Sequence, residues 1–111
     1  MAIQVFEAAN TLGFTFIAGG GGSVKEIQSV YTCDMLGHAL GALPRGAAWV
    51  TIQRHVNAVA VAMQAEAACI VLVEGLALYD DAKAAAEREN VAVLSTTLPA
   101  AEAVVALSRL L

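Results

Sequence analysis

The second half of the chain alternates between short apolar runs and longer segments in which apolar residues recur at helical spacing. The apolar runs predict strands over 49–52, 69–73 and 91–94. The segments between and after them predict helices over about 57–68, 80–89 and 99–110. Because apolar strands alternate with helices, we expect parallel strands that are joined by right-handed crossovers.

The first half of the chain is less regular. Apolar spacing predicts a helix over 2–12 that ends at Gly13, and alternation predicts a strand over 14–18. A weakly extended stretch over 24–30 is either an edge strand or an irregular loop, and a short helix follows over 34–42. The whole pattern therefore predicts an α/β fold with a parallel or mixed sheet, and it leaves the direction of the first strand open.

Composition adds an expectation about assembly. Apolar residues make up 59% of the chain and aromatic residues 5%, so the core must be built from Ala, Val and Leu. Charged residues make up only 14%, well below the usual quarter, which excludes a disordered chain. We expect one domain over 1–111, because 111 residues fit the usual size of a single domain. So little charge also predicts that a second subunit covers part of the surface, as in a homodimer.

Charge and cysteine usage argue against several classes of protein. Six basic and ten acidic residues give a net charge of −4, and the basic residues form no stripe. Binding to nucleic acid or to an acidic membrane is therefore not expected. Cys33 and Cys69 lie far apart and are interpreted as reduced thiols. With no basic leader and no apolar run of membrane-spanning length, the chain is predicted to be cytoplasmic.

A set of polar residues follows the predicted strands. Gln53, Arg54, His55 and Asn57 come where the strand over 49–52 gives way to a helix. Parallel strands would bring these residues to one edge with two more that follow the next strands, Gly75 and Thr96. Ligands bind at this edge in open parallel sheets, helped by free amides of helix N-termini, so a phosphate, carboxylate or nucleotide is a candidate ligand. The alternative is that Asn57 or His55 caps the helix and Gln53 satisfies a loop backbone.

Asp34 has two interpretations. With Thr32 as the cap of the helix over 34–42, Asp34 is a first-turn acid that complements the helix dipole. Alternatively, its carboxylate reaches His55 and forms an acid–base pair. No nucleophile elbow places Ser95 beside that pair, so no residue is assigned as catalytic.

Three further features have weaker signals. Cys33, His38, His55 and Cys69 have poor spacing for a shared zinc ion and are interpreted as unliganded. The glycine run over 19–22 resembles a phosphate loop only in its glycine content, and the family resemblance described below implies a flexible surface loop there, with ordering over a ligand as the alternative. Trp49 is either a core residue or an anchor of a dimer interface.

Four segments resemble the stand-alone DRTGG domain. Residues 30–36 read VYTCDML, and residues 49–62 read WVTIQRHVNAVAVA. The pattern continues in order with IVL at 70–72 and VLST at 93–96. The resemblance covers nearly the whole chain, and it extends to the related N-terminal domain of HPr kinase/phosphorylase.

The resemblance implies a three-layer α/β domain that self-associates and accompanies CBS domains or enzymes as an accessory module. Similar members carry the run Gly-Gly-Tyr-x-Gly-Asp before the first short helix. Here Ser29, Val30 and Cys33 replace the glycines, while Tyr31 and Asp34 remain. A turn that needs glycine conformations is therefore not expected there. The phosphate-binding motif of a kinase, G-x-x-x-x-G-K-[ST], does not occur, so kinase activity is not implied.

Together these observations predict a non-enzymatic regulatory or ligand-sensing module without a cofactor. It is expected to be a homodimer that binds a nucleotide or phosphorylated small molecule at the strand ends and acts on a partner protein. Two other functions stay open. One is a structural interaction subunit without a ligand, and the other is a small transferase or hydrolase that uses His55 and Asp34.

Overall fold

The computed structural model describes residues 2–111. The elements in chain order are β1 (Ile3–Gln4), α1 (Val5–Leu12), β2 (Thr15–Ala18), β3 (Glu26–Ile27), β4 (Ser29–Thr32), α2 (Leu36–Ala42), β5 (Ala47–Thr51), α3 (Val56–Ala65), β6 (Cys69–Leu72), α4 (Asp80–Glu89), β7 (Val93–Ser95) and α5 (Ala100–Ser108). Within these residues, the main sheet has the order β2-β7-β6-β5-β4. Its strands β4 to β7 are parallel, and β2 runs antiparallel to β7. The sheet is therefore mixed, and β1 pairs with β3 in a separate ribbon.

Helices cover both faces of the main sheet. On one face, α2, α3 and α4 pack over side chains such as Trp49 and Ile70. On the other face, α1 and α5 pack over alternate strand residues such as Val50 and Val71. Alternation along each parallel strand sends neighbouring side chains to opposite faces, so both faces must be apolar. The predicted α/β fold with helices on both faces is confirmed.

Most element boundaries follow local signals in the sequence. Helix α1 ends at Gly13 and α4 ends at Asn90, and both residues adopt the left-handed conformation that suits Gly and Asn. The prediction that Thr32 caps the helix over 34–42 is wrong. Its hydroxyl instead donates a hydrogen bond to the Val50 carbonyl at 2.9 Å. Helix α2 begins at Leu36, and no side chain caps it. The stretch over 24–30 contains β3 and the start of β4.

The glycine run does not form a flexible loop. Gly20–Gly22 forms a short 3-10 turn, and Gly22 is buried. Gly19 has a φ of +72°, and a Cβ atom on it would collide with the Val91 carbonyl. A Cβ atom on Gly21 would collide with the Asn90 side chain. Gly19, Gly21 and Gly22 are thus needed for close packing against residues 90–92, so the prediction of a flexible surface loop is wrong.

Trp49 lies in the core. Its side chain is 0% exposed, and its Nε1–H donates a hydrogen bond to the Cys33 carbonyl at 2.9 Å. The alternative role as an interface anchor is therefore wrong. No helix within residues 2–111 combines the length and the apolar character that crossing a membrane requires.

Candidate ligand site at the carboxyl edge of the sheet

The carboxyl ends of β4 to β7 lie at one edge of the sheet because these strands are parallel. The loops that follow the strands carry the predicted site residues to this edge, and only Asn57 lies inside a helix, in the first turn of α3. The topology therefore brings together the predicted set: Asp34, Gln53, Arg54, His55, Asn57, Gly75 and Thr96. That these residues bind a ligand stays a prediction.

Asp34 and Gln53 connect the loop after β4 to the loop after β5. The Asp34 carboxylate accepts a hydrogen bond from the Thr51 hydroxyl at 2.7 Å and another from the Ile52 amide at 3.0 Å. The Gln53 side-chain amide donates to the Asp34 carbonyl at 2.6 Å. Gln53 thus satisfies a loop backbone, as one interpretation predicted. Asp34 lies outside α2, so its predicted role as a first-turn acid of that helix is wrong.

His55 has a different neighbour from the one proposed for catalysis. No hydrogen bond or ion pair joins His55 to Asp34 in the part of the chain that the structure describes. The imidazole instead meets the Tyr79 ring edge-on, with 4.9 Å between the ring centroids. His55 occupies the position before α3, but its side chain makes no capping bond, and Asn57 is an exposed residue of the first turn. The predicted side-chain caps are therefore wrong, and the acid–base pair does not form.

Arg54 contacts the same tyrosine. Its guanidinium carbon is 4.5 Å from the centroid of the Tyr79 ring, which is a cation–π geometry. Its Nε–H donates to the Ala77 carbonyl at 2.6 Å, and the Tyr79 amide donates to the Arg54 carbonyl at 3.2 Å. We call Arg54, His55 and Tyr79 the Tyr79 cluster. It joins the loop after β5 to the loop after β6, and 43% of Tyr79 remains exposed.

Gly75 and Thr96 join the next pair of loops. The Gly75 amide donates to the Thr96 carbonyl at 2.9 Å, and the Thr96 hydroxyl accepts from the Leu98 amide at 3.2 Å. Glu74 and Gly75 both have left-handed backbones, with φ of 61° and 70°. A non-glycine residue rarely adopts this conformation, so the bonds between the loops hold Glu74 in a strained state.

The sequence did not predict a role in the site for two residues, Thr51 and Tyr79. Thr51 is 1% exposed and is the buried polar partner of Asp34. A polar residue at the end of an apolar strand, directly before a polar loop, is the sequence signal for such a buried hydrogen-bond partner. Tyr79 carries no functional signal in the sequence, since nothing in the local pattern connects it to Arg54.

Burial perturbs two titratable groups on the strands. Desolvation, with a smaller contribution from the Cys33 thiol, raises the pKa of Tyr31 above its ordinary value. Burial raises the pKa of the Cys69 thiol to about 12, against a smaller opposing effect of Lys25. Both cysteines are free thiols. Within residues 2–111, no three His, Cys, Asp or Glu side chains are grouped so that they hold a metal ion.

A concavity lies elsewhere on the molecule. A groove of about 440 Å³ is at the opposite edge, where residues such as Gln28, Gly46 and Ala68 precede the parallel strands. The Tyr79 cluster lies outside this groove and is partly exposed to solvent.

Comparison with known proteins shows the fold. No family model and no curated protein matches this chain. A structural match exists to the CBS and DRTGG domains of the regulatory region of a Clostridium perfringens pyrophosphatase, solved in complex with its activator, diadenosine tetraphosphate. The TM-score is 0.69 at 15% sequence identity, and the match covers 92% of this chain and 46% of that one. The chain thus has the fold of part of a CBS- and DRTGG-containing regulatory region and spans less than half of it. A relation to HPr kinase finds no support in these comparisons.

Proposed function

We propose that this chain is a non-enzymatic, ligand-sensing regulatory module, that residues 1–111 act as one DRTGG-like domain, and that it forms a homodimer. Its ligand is a nucleotide, bound at the carboxyl edge of the sheet. The observation that carries the proposal is the Tyr79 cluster, in which a half-exposed aromatic ring contacts both a guanidinium group and an imidazole ring.

The cluster supplies the two kinds of contact that a nucleotide needs. Aromatic rings and guanidinium planes can stack on any nucleobase, because every base has a π-face. A guanidinium group also binds phosphate through paired N–H donors. Helix α3 begins directly after His55, and no side chain occupies its first amides. These amides and the helix dipole favour a negative group beside the cluster.

The contacts of Asp34 support a binding function in preference to catalysis. Its carboxylate is engaged by the Thr51 hydroxyl and the Ile52 amide, so it is not poised to orient His55. The acid–base pair considered for catalysis needs the His55 imidazole within hydrogen-bond reach of the Asp34 carboxylate that would orient it. We therefore assign Asp34 a structural role in holding the edge together.

The choice of ligand to test follows from the structural match. The pyrophosphatase region that has this fold was solved with diadenosine tetraphosphate, which is its activator. A ligand with two bases and a polyphosphate also suits a homodimer that carries one open aromatic site in each subunit. Diadenosine tetraphosphate is therefore the first probe, with ATP, AMP and inorganic phosphate as shorter relatives.

The experiment is a thermal-shift and calorimetric titration of the purified chain with these four probes. A ligand at about 100 times its dissociation constant stabilises the folded state by about 2.7 kcal/mol, which raises Tm by several degrees. We expect Tyr79→Ala and Arg54→Gln to abolish the shift. Arg45→Gln is the matched control, because Arg45 is an exposed arginine at the opposite edge of the sheet.

Two outcomes would overturn the proposal. One is that no nucleotide shifts Tm. The other is that the shift survives in both cluster variants and disappears in Arg45→Gln, which would place the site in the opposite groove. A structural interaction subunit is the second candidate. It is favoured by the engagement of Asp34 and Gln53 within the protein, and it predicts no shift with any probe.

A further inference from the structure

The outward face of α5 carries a shallow apolar groove of about 360 Å³. Its lining residues belong to this helix, to the turn before it and to the residue that ends it: Leu98, Ala101, Glu102, Val105, Ala106 and Arg109. The opposite face of the helix packs on the sheet through Ala103 and Leu107, which are buried. Val105 is 49% exposed, so an apolar side chain stands at the centre of a surface that no other part of residues 2–111 covers.

The spacing of the lining residues is that of a helix-packing surface. Positions 98, 101, 102 and 105 are related as i, i+3, i+4 and i+7, and so are positions 102, 105, 106 and 109. Four residues in this relation form one hole of knobs-into-holes packing, into which a side chain of a facing helix inserts. The small side chains of Ala101 and Ala106 deepen the holes and allow a close approach of the two helix backbones. The occupant is thus expected to be a helix.

Charge decides which helix fits. Glu102 and Arg109 are seven positions apart on this face, and neither forms an ion pair within residues 2–111. In a second copy of α5 that runs antiparallel, with a two-fold axis between positions 105 and 106, each Glu102 faces the Arg109 of the partner subunit. The same axis inserts Val105 into the hole formed by 102, 105, 106 and 109 of the other copy. The face is therefore complementary to itself, as an isologous interface requires.

We propose that two copies of this chain associate through antiparallel packing of α5, with Val105 at the centre and two Glu102–Arg109 pairs at the rim. The proposal deepens the homodimer of the proposed function and does not depend on nucleotide binding. The low charged fraction of 14% agrees with an apolar surface that is covered in the assembly. Because α5 has nine residues and is about 14 Å long, the contact is at the small end of specific interfaces and gives a weak dimer.

The test is sedimentation velocity from low to high micromolar concentration on four forms of the chain: the wild type, Glu102→Arg, Arg109→Glu and the double variant. We expect a concentration-dependent dimer for the wild type. Each single exchange puts like charges opposite one another and should weaken the dimer by about tenfold or more. The double variant restores opposite charges in both pairs and should recover the dimer.

Matched controls come from another exposed helix. Glu87→Arg and Arg88→Glu make the same exchanges on α4 and should leave the dimer unchanged. Since all four altered side chains are exposed, folding is checked by circular dichroism. A monomer at every concentration overturns the dimer, and a dimer that ignores the single exchanges, or that the double variant does not restore, overturns this interface. A nucleotide response of a monomer would leave the ligand site standing, so the two proposals fail separately.

Discussion

The hydroxyl of Thr51 donates a hydrogen bond of 2.7 Å to the carboxylate of Asp34, across the carboxyl ends of two neighbouring parallel strands. Thr51 is 1% exposed, whereas Asp34 is exposed, so the bond joins the core to the candidate ligand edge. The same hydroxyl accepts a hydrogen bond from the backbone amide of Gln53 at 3.2 Å. One buried oxygen therefore joins the loop after β4 to the loop after β5, and the loop after β5 carries Arg54 and His55 of the Tyr79 cluster.

Replacing Thr51 with Val should destabilise the protein. The change keeps the shape of the side chain but removes the donor to Asp34 and the acceptor for the Gln53 amide. A hydrogen bond to a charged group contributes about 1.5–3 kcal/mol, so we expect a loss of about 2 kcal/mol in urea unfolding. Thr97→Val, at an exposed position of the same edge, is the control and should change the free energy of unfolding by less than about 0.5 kcal/mol. Equal effects of the two changes would contradict this role of Thr51.

Replacing Gly19 with Ala should be severe, and replacing Gly20 with Ala should not. Gly19 has a φ of +72° and has no room for a Cβ atom beside the Val91 carbonyl, whereas a Cβ atom on Gly20 meets nothing within 4 Å. A left-handed non-glycine residue costs of order 1–3 kcal/mol, and the collision with Val91 adds to this. Thermal unfolding of the two variants measures the difference. A Gly19→Ala protein as stable as the Gly20→Ala protein would show that Gly19 is not packed against Val91.

Alkaline pH should destabilise the protein through Cys69. Burial raises the pKa of this thiol from 9.0 to about 12. Above pH 9 the unfolded chain releases the proton while the folded chain keeps it, so the free energy of unfolding falls as pH rises. The contribution of Cys69 is complete below pH 9 and is lost at about 1 kcal/mol per pH unit towards pH 12.

The test for Cys69 measures the slope of the unfolding free energy against pH. This slope distinguishes the loss of a titrating group from the loss of packing. We expect Cys69→Ala to flatten the dependence of unfolding free energy on pH between about pH 9 and 11 relative to the wild type. Val71→Ala, in the same buried strand, removes packing without removing a titrating group and should keep the wild-type slope. If both variants have the same slope, Cys69 does not carry the effect.

Much of the fold was predictable because its signals are local. The runs at β5, β6 and β7 are apolar on both faces, which only a strand covered by two layers of helices can satisfy. Gly13 and Asn90 end their helices because these residue types tolerate the left-handed backbone of the cap. The glycine run was misinterpreted, since its role depends on contact with residues about 70 positions later in the chain.

The candidate site was likewise predictable only where its signals are local. That Gln53, Arg54 and His55 lie at a strand end was determined by the sequence, because an apolar run followed by polar residues and a helical pattern places a loop there. Which side chains meet was decided only by the tertiary structure. Asp34 faces Thr51, and not His55, because the parallel pairing of β4 with β5 sets Thr32 beside Val50 and so brings residue 34 to the end of β5. The contact between Arg54 and Tyr79 likewise depends on the path of the loop after β6. Backbone hydrogen bonds to residues distant in sequence hold this loop, and a local sequence pattern does not predict such bonds.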